Sequence, residues 1–230
     1  MAIKKRAWNF NTNDSEEKDL KILFPNITDE LRVAEASAVS FETGENICDL
    51  EVSDGVFENI SSERVSVKNS VFKHVTFDDM SVKKLELMNV RFLNCDLSNA
   101  SFNEGVFHRV EFVDCKLLGV NISDATLRNV VFSSCKADYA FFRFSNFKQV
   151  KFEKCELIQA DFQSCVFSKT AFSCCNLTSS QLSGVSLFGM DLSDCEIEGL
   201  GVSVEGIKGA TFSLHQLPLL ANIFGINIKT

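Results

Sequence analysis

The chain has 230 residues, with 22 Phe against one Trp, one Tyr and two Pro, and a formal net charge of −8 at pH 7. That length can bury a substantial core, and the acidic balance argues against nonspecific nucleic-acid binding and for basic partners. No apolar run approaches the ~18 residues that cross a membrane, and MAIKKRAWNFNTND has charges but no apolar signal core. A cytoplasmic protein is therefore expected, with no membrane contact. Its nine Cys are odd in number, which argues against a disulfide framework.

Residues 1–46 read as a tail and cap. The run Asn13-Asp14-Ser15-Glu16-Glu17-Lys18-Asp19 is expected to be mobile. Phe24-Pro25-Asn26-Ile27-Thr28-Asp29-Glu30-Leu31 predicts a short turn of helix that covers the start of the segment beginning at Ile47.

From Ile47 onward a large apolar residue recurs at every fifth position. The series passes through Phe72, Phe92, Phe112, Phe132, Phe152 and Phe172 and runs to Leu217. Of its thirty-five members only Ser62 and Ala137 are not bulky and apolar. A helix needs a period of 3.6 and a strand a period of 2. A period of five fits a solenoid whose sides are each five residues long. Two residues before each centre sits a second inward position, usually small, as at Cys95, Ala100, Gly105 and Cys115. The register fails before Ile47, where the positions five and ten back are Glu42 and Ser37.

A longer period lies above the first. Cys95, Cys115, Cys135, Cys155, Cys175 and Cys195 are spaced by 20, as are the Phe residues from Phe92 to Phe172. Twenty is four fives, so one turn has four sides and like residues stack. The register counts about nine coils, a rod on the order of 40 Å long at a strand spacing of about 4.8 Å. Stability is then a sum of neighbour terms, and both ends need caps.

The phase assigns each outward residue to a side. With the Cys column on side A and the others following in chain order, sides A and D together hold fifteen acids against six bases. Asp78, Asp79, Asp96, Asp114, Asp138, Glu156, Asp194 and Glu196 are the candidate partner-binding residues of this acidic edge. Such an edge can steer a basic groove of the kind that accepts DNA. A solvated surface that resists aggregation is the plainer alternative. Side C is the reverse, with Lys68, Arg109, Arg128, Lys148, Lys169 and Lys208 facing only Glu86 and Glu205. It carries one outward aromatic, Phe188, too few for the stacking used on single-stranded nucleic acid. No direct contact with nucleic acid is expected.

Residues 47–212 thus form the solenoid and 213–230 a terminal module. Ser213 and Gln216 fit a capping box. Leu217, Leu220 and Phe224 come next at helical spacing, Gly225 suits the stop, and Ile226 and Ile228 alternate as a short strand. This module either caps a monomer or forms a two-fold homodimer. Gln216, Leu217, Leu220, Phe224, Ile226 and Ile228 are the candidate dimer residues.

Catalytic signals are missing from the sequence. His74, His108 and His215 fall on different sides without triad spacing, and there is no phosphate loop or paired-His motif. The Cys column is linear, whereas a metal needs converging ligands. A non-enzyme with no cofactor and no metal is expected.

Units such as CDLSN, ASFNE, CELIQ, ADFQS, CNLTS and MDLSD resemble the A(D/N)LXX pattern of pentapeptide-repeat proteins. The resemblance covers about three quarters of the chain. It implies an all-β fold, a right-handed quadrilateral β-helix, here with a short C-terminal helix. Residues 95–117 (CDLSNASFNEGVFHRVEFVDCKL) and 135–152 (CKADYAFFRFSNFKQVKF) are similar to Gram-positive Qnr-type proteins. The ending GATFSLHQLPLLANIFGINI resembles the dimer-forming C-terminus of the Qnr and MfpA type. That narrower resemblance implies a DNA mimic that binds type II topoisomerase (DNA gyrase or topoisomerase IV) and relieves quinolone inhibition. The unbroken register departs from Gram-negative Qnr proteins, which carry inserted loops.

Overall fold

The computed structural model describes residues 20–27 and 30–227. The expected mobile run Asn13–Asp19 lies outside them. Among the described residues, eleven strands are arranged as a parallel solenoid: β1 (Arg32–Ala34), β2 (Asn46–Cys48), β3 (Leu50–Ser53), β4 (Val56–Glu63), β5 (Ser66–Lys73), β6 (Thr76–Lys83), β7 (Glu86–Leu93), β8 (Val106–Val113), β9 (Thr126–Ser133), β10 (Asn146–Glu153) and β11 (Val166–Ser173). One sheet runs β1-β3-β5-β7-β8-β9-β10-β11, with β2 also paired to β5, and a smaller sheet pairs β4 with β6. From β2 onward partners stand twenty residues apart, as in Asn46↔Ser66, Phe92↔Phe112 and Phe152↔Phe172.

Each eight-residue strand covers two sides and bends between them. The bend is a residue with positive φ, two after each centre: Asn69 at 47°, Asn89 at 54°, Arg109 at 54° and Asn129 at 55°. Asn and Asp tolerate this left-handed region better than most residues, and both recur at the bends. Sides C and D are built of these strands. From about residue 95 sides A and B are built of turns joined by single bridges, such as Asp96↔Lys116 and Phe141↔Asp161.

Seven strands at twenty-residue steps, β3 to β11, define about seven turns. The register counts nine because it continues past the strands. Beyond Ser173 the rungs are turns and bridges only, as in Asp191↔Thr211. β-branched residues hold the earlier inward positions at Val90, Val110, Val130, Val150 and Thr170, and Met190 succeeds them beside Gly189. Loss of the β-branched side chain, with glycine at the bend, weakens strand preference there.

The interior is a file of stacked rings. Phe92–Phe112, Phe112–Phe132 and Phe132–Phe152 lie 4.9, 4.9 and 4.6 Å apart between centroids, with planes within 4°. A second stacked pair, Phe142–Phe162 at 4.8 Å, meets this file edge-on. Each Phe is covered from above and below, so burial worth roughly 1.5–3 kcal/mol per ring is available only to stacked coils.

The N-terminal segment differs from the expected helical cap. Residues 20–27 have no helix and run along side C. The amides of Leu23 and Asn26 donate to the side-chain oxygens of Asn129 (3.0 Å) and Asn89 (3.3 Å), and the Gln149 amide donates to the Lys21 carbonyl (2.5 Å). Moving from Gln149 to Asn89 descends three rungs, about 14 Å, which five extended residues match. Thr28 and Asp29 lie outside the described residues. The first coil is covered instead by β1, paired to β3 at an offset of eighteen (Arg32↔Leu50), and by Phe41, edge-on to Phe57 at 4.9 Å. That different offset explains why the five-residue register fails before Ile47.

Candidate partner-binding surfaces

The Cys column is packing with a hydrogen-bonding role. Cys95, Cys115, Cys135, Cys155 and Cys175 each donate Sγ–H to a Phe carbonyl twenty-three residues earlier, all at 3.4 Å. Ser145 and Ser180 occupy the same small inward position and bond the Ile122 and Leu157 carbonyls at 2.8 and 2.6 Å. Where this position carries Cys or Ser, its donor reaches a backbone carbonyl of the preceding coil, while Ala100, Ala140 and Ala160 fill it by size alone. Burial pushes the thiols of Cys165 and Cys195 up to about 12, so they stay protonated and weakly nucleophilic at neutral pH. Among the described residues, no group of three or more His, Cys, Asp or Glu is placed to hold a metal. An apolar void in the first coils is lined by residues such as Phe41, Val67, Phe72 and Met80.

Consecutive bridges string Asp96, Lys116, Lys136, Glu156, Asn176 and Glu196 into one column on side A. Three of the sequence-predicted acids thus share a line, but two lysines divide it, and Asp96 stands about 14 Å from Glu156 at the usual rung spacing. Burial pushes the Asp96 carboxyl up, yet the Ser98 hydroxyl and amide together with the Lys116 ammonium outweigh it and hold Asp96 below its usual range. Asp138 is half-buried and accepts from the Ile158 amide at 3.0 Å. Asp78 and Asp79 are exposed on β6, near the start of the rod. Asp114 and Asp194 are exposed at the bend between sides D and A. The structure therefore divides the edge into a lower group around Asp78, Asp79 and Asp96 and an upper group of Glu156, Asp194 and Glu196.

Side D contributes less open charge than its composition suggests. Glu51 pairs with Lys73 at 2.5 Å, Glu153 with Lys151 at 3.4 Å, and Glu111 with Arg91. Glu111 is also buried, which pushes its carboxyl up against the pull of Arg91. On side C the strap of residues 20–27 crosses the basic face, and burial with Arg109 and Arg128 holds the His108 imidazole below its usual range.

One coil carries aromatics on the outside. Tyr139, Phe141 and Phe144 are 51, 39 and 55% exposed and span side B, from Tyr139 at the bend out of side A to Phe144 at the bend into side C. The Arg143 guanidinium lies over the Phe141 ring at 5.3 Å and is itself bonded to Asp161. The five-residue phase already places these three outside, a signal that a search for aromatics on the basic side passes over.

At the C-terminus the capping box forms. The Ser213 amide donates to the Gln216 side-chain oxygen at 2.7 Å, opening a 3-10 turn (Leu214–Gln216) that leads into α1 (Leu217–Ile223). Gln216 is only 1% exposed, and its amide group donates to the Leu192 and Cys195 carbonyls at 2.9 and 2.7 Å. It plugs the end of the solenoid, adding a second donor to the Leu192 carbonyl, which also accepts from the Cys195 amide, and supplying one to the Cys195 carbonyl. Gly225 (φ 68°) and Ile226 close α1 by donating to the Asn222 and Ala221 carbonyls, a Schellman ending. Of the candidate dimer residues, Gln216 and Leu220 are buried, whereas Leu217, Phe224 and Ile226 are exposed. Ile226 is in no strand, and Ile228 lies outside the described residues.

A family model described as a pentapeptide repeat region matches residues 85–162, and one described as pentapeptide repeats (8 copies) matches residues 160–199. With the four-sided register, these matches place the chain in the pentapeptide-repeat family. Solved structures similar to it include two trypsin-treated forms of QnrB1, described as a plasmid-mediated fluoroquinolone resistance protein. One is 20% identical with TM-score 0.46, over 83% of this chain and 93% of that one; the other is 20% identical with TM-score 0.42, over 87% and 99%. HetL, a pentapeptide repeat protein involved in heterocyst differentiation regulation from the cyanobacterium Nostoc, is 14% identical with TM-score 0.33, over 75% and 88%. No curated protein matches the sequence significantly.

Proposed function

We propose that this protein is a non-catalytic, DNA-mimic-like β-helix that binds a type II topoisomerase, DNA gyrase or topoisomerase IV, through its acidic edge, and so protects it from quinolones. The observation that carries the reading is the placement of exposed Asp78, Asp79, Asp114, Glu156, Asp194 and Glu196 along two adjoining sides of a rod. A linear display of carboxylates suits a basic groove that otherwise holds duplex DNA. The likeness of residues 95–117 and 135–152 to Qnr-type proteins selects which groove. Exposed Leu217, Phe224 and Ile226 support a homodimer through the C-terminus, which would double the length of the rod.

The test is a gyrase supercoiling assay with a quinolone present. The protein should restore supercoiling, and the Asp114→Lys, Asp194→Lys, Glu196→Lys triple variant should not. Purified protein that leaves quinolone inhibition unchanged removes the protective role. A second reading, an interaction module for another protein, is favoured by Lys116 and Lys136, which interrupt the side A column. A pull-down that recovers a different partner and no topoisomerase supports it.

A further inference from the structure

We propose that the aromatic face of side B formed by Tyr139, Phe141 and Phe144 is the apolar anchor with which this protein docks on its partner, filling an apolar pocket rimmed by cations on that partner. The proposal rests on the reading that the partner is a type II topoisomerase, and it adds a contact outside the acidic edge.

Three observations converge. First, these side chains break the pattern of their columns. Bridges align Ser101, Asn121, Phe141, Asp161 and Gln181, so Phe141 replaces a polar residue on every neighbouring rung. Tyr139 stands in line with Asn99, Gly119 and Gln159, and Phe144 with Glu104, Asp124 and Ser164. Second, Tyr139 and Phe144 have φ of 59° and 62°. Every bend from Asp49 to Gly189 has that left-handed conformation, but bulky rings rarely occupy it, and the neighbouring bends carry Asn, Gly, Gln, Glu, Asp or Ser instead. The coil gains no burial in return, because both rings are more than half exposed. Third, the ring of Phe141 is pre-set, since Arg143 covers it and is held by Asp161. Exposed Leu118 extends the patch onto side A, and Gly119, one coil below Tyr139, has no side chain to cover it. Together these residues expose apolar surface on the order of 350 Å², the size of a functional patch.

Charge selects the kind of partner. Asp124, Asp138, Glu156 and Asp161 surround the rings, against Lys136 and the engaged Arg143. Stacking on single-stranded nucleic acid needs a cationic groove around its aromatics, and this rim has the opposite sign. An aromatic centre inside a charged rim is the usual anatomy of a protein–protein hot spot.

The test compares the full-length chain with the Tyr139→Asn, Phe141→Asn, Phe144→Ser triple variant, which leaves the charge unchanged. Each substitution copies a residue type used in the same column, or close to it, so the fold is kept and Tm should be unchanged or higher. Binding to purified gyrase and topoisomerase IV should weaken at least tenfold, with the slope of log Kd against log salt unchanged. Tyr139 is the only tyrosine, so 3-fluorotyrosine labelling gives one resonance, and it should shift when topoisomerase is added. If the wild type binds but the triple variant binds equally well, the anchor is wrong and the acidic-edge reading stands. A wild type that binds neither enzyme removes that reading and the anchor with it. A dimer that the triple variant loses and a Phe224→Ser variant keeps would give the patch to a second copy and overturn the proposal. A resonance that moves with single-stranded DNA rather than topoisomerase would also overturn it.

Discussion

Truncating Phe132 to Ala should cost about 4–5 kcal/mol, near the top of the range for buried Phe. Phe132 is fully buried, with stacked partners at 4.9 and 4.6 Å and Phe142 edge-on at 6.0 Å. The cavity cannot close by collapse. β9 is hydrogen-bonded to β8 below and β10 above, so the rung spacing of about 4.8 Å is fixed by the backbone. The loss is therefore transfer free energy plus an unrelaxed cavity, plus about 0.5–1.5 kcal/mol for each ring pair removed. Phe132→Leu keeps most of the volume but loses the same three ring pairs, and should cost roughly 2–3 kcal/mol. Phe188→Ala, on an exposed ring, should stay within about 0.5 kcal/mol. Guanidinium unfolding gives the three values, and hydrogen exchange should locate the lost protection in residues 106–113 and 146–153. A Phe132→Ala cost below about 1 kcal/mol would refute the claim that neighbouring coils hold one another up through this file.

Gln216→Leu removes two donors from the Leu192 and Cys195 carbonyls; a loss of about 1–3 kcal/mol is expected, seen as faster exchange over residues 190–200, and unchanged exchange there contradicts the plug. A thiol reagent should modify exposed Cys48 and Cys174 quickly and the seven buried Cys only on unfolding; rapid reaction of Cys135 would contradict the packing. Folded Cys165 and Cys195 titrate near 12 against 9.0 for a thiol free of burial, so the unfolded chain releases their protons first. Their stabilisation is full below pH 9 and is lost between about pH 9 and 12, which denaturation midpoints across that range will show, and Cys165→Ala should flatten the decline. Asn129→Gly keeps the left-handed bend but removes the acceptor for the Leu23 amide; trypsin should then cut faster at Lys21 while Tm changes little, and cleavage at the wild-type rate contradicts the strap.

The five-residue register was enough to give the solenoid, its four sides and the stacked Phe file, because each coil repeats the same local demand. It overcounted the strand-built turns, since centres such as Leu187 and Leu192 continue the apolar series after β-branched neighbours have ended. The strap was not legible. Its partners lie 63, 106 and 128 residues away, and single amide contacts leave no periodic trace. Ser213 and Gln216 were legible as a capping box, but the second function of Gln216 depends on two carbonyls of an earlier coil. Charge was only half legible: sequence places an acid on a side, while burial and pairing decide whether it is available, as Glu111 illustrates.

The most direct test of the acidic-edge account is a binding titration of this protein with purified gyrase and topoisomerase IV over a salt series, with duplex DNA as competitor. The account predicts binding that weakens steadily as salt rises, is displaced by DNA, and is lost in the Asp114→Lys, Asp194→Lys, Glu196→Lys variant. No binding to either enzyme, or binding indifferent to both salt and DNA, would contradict it.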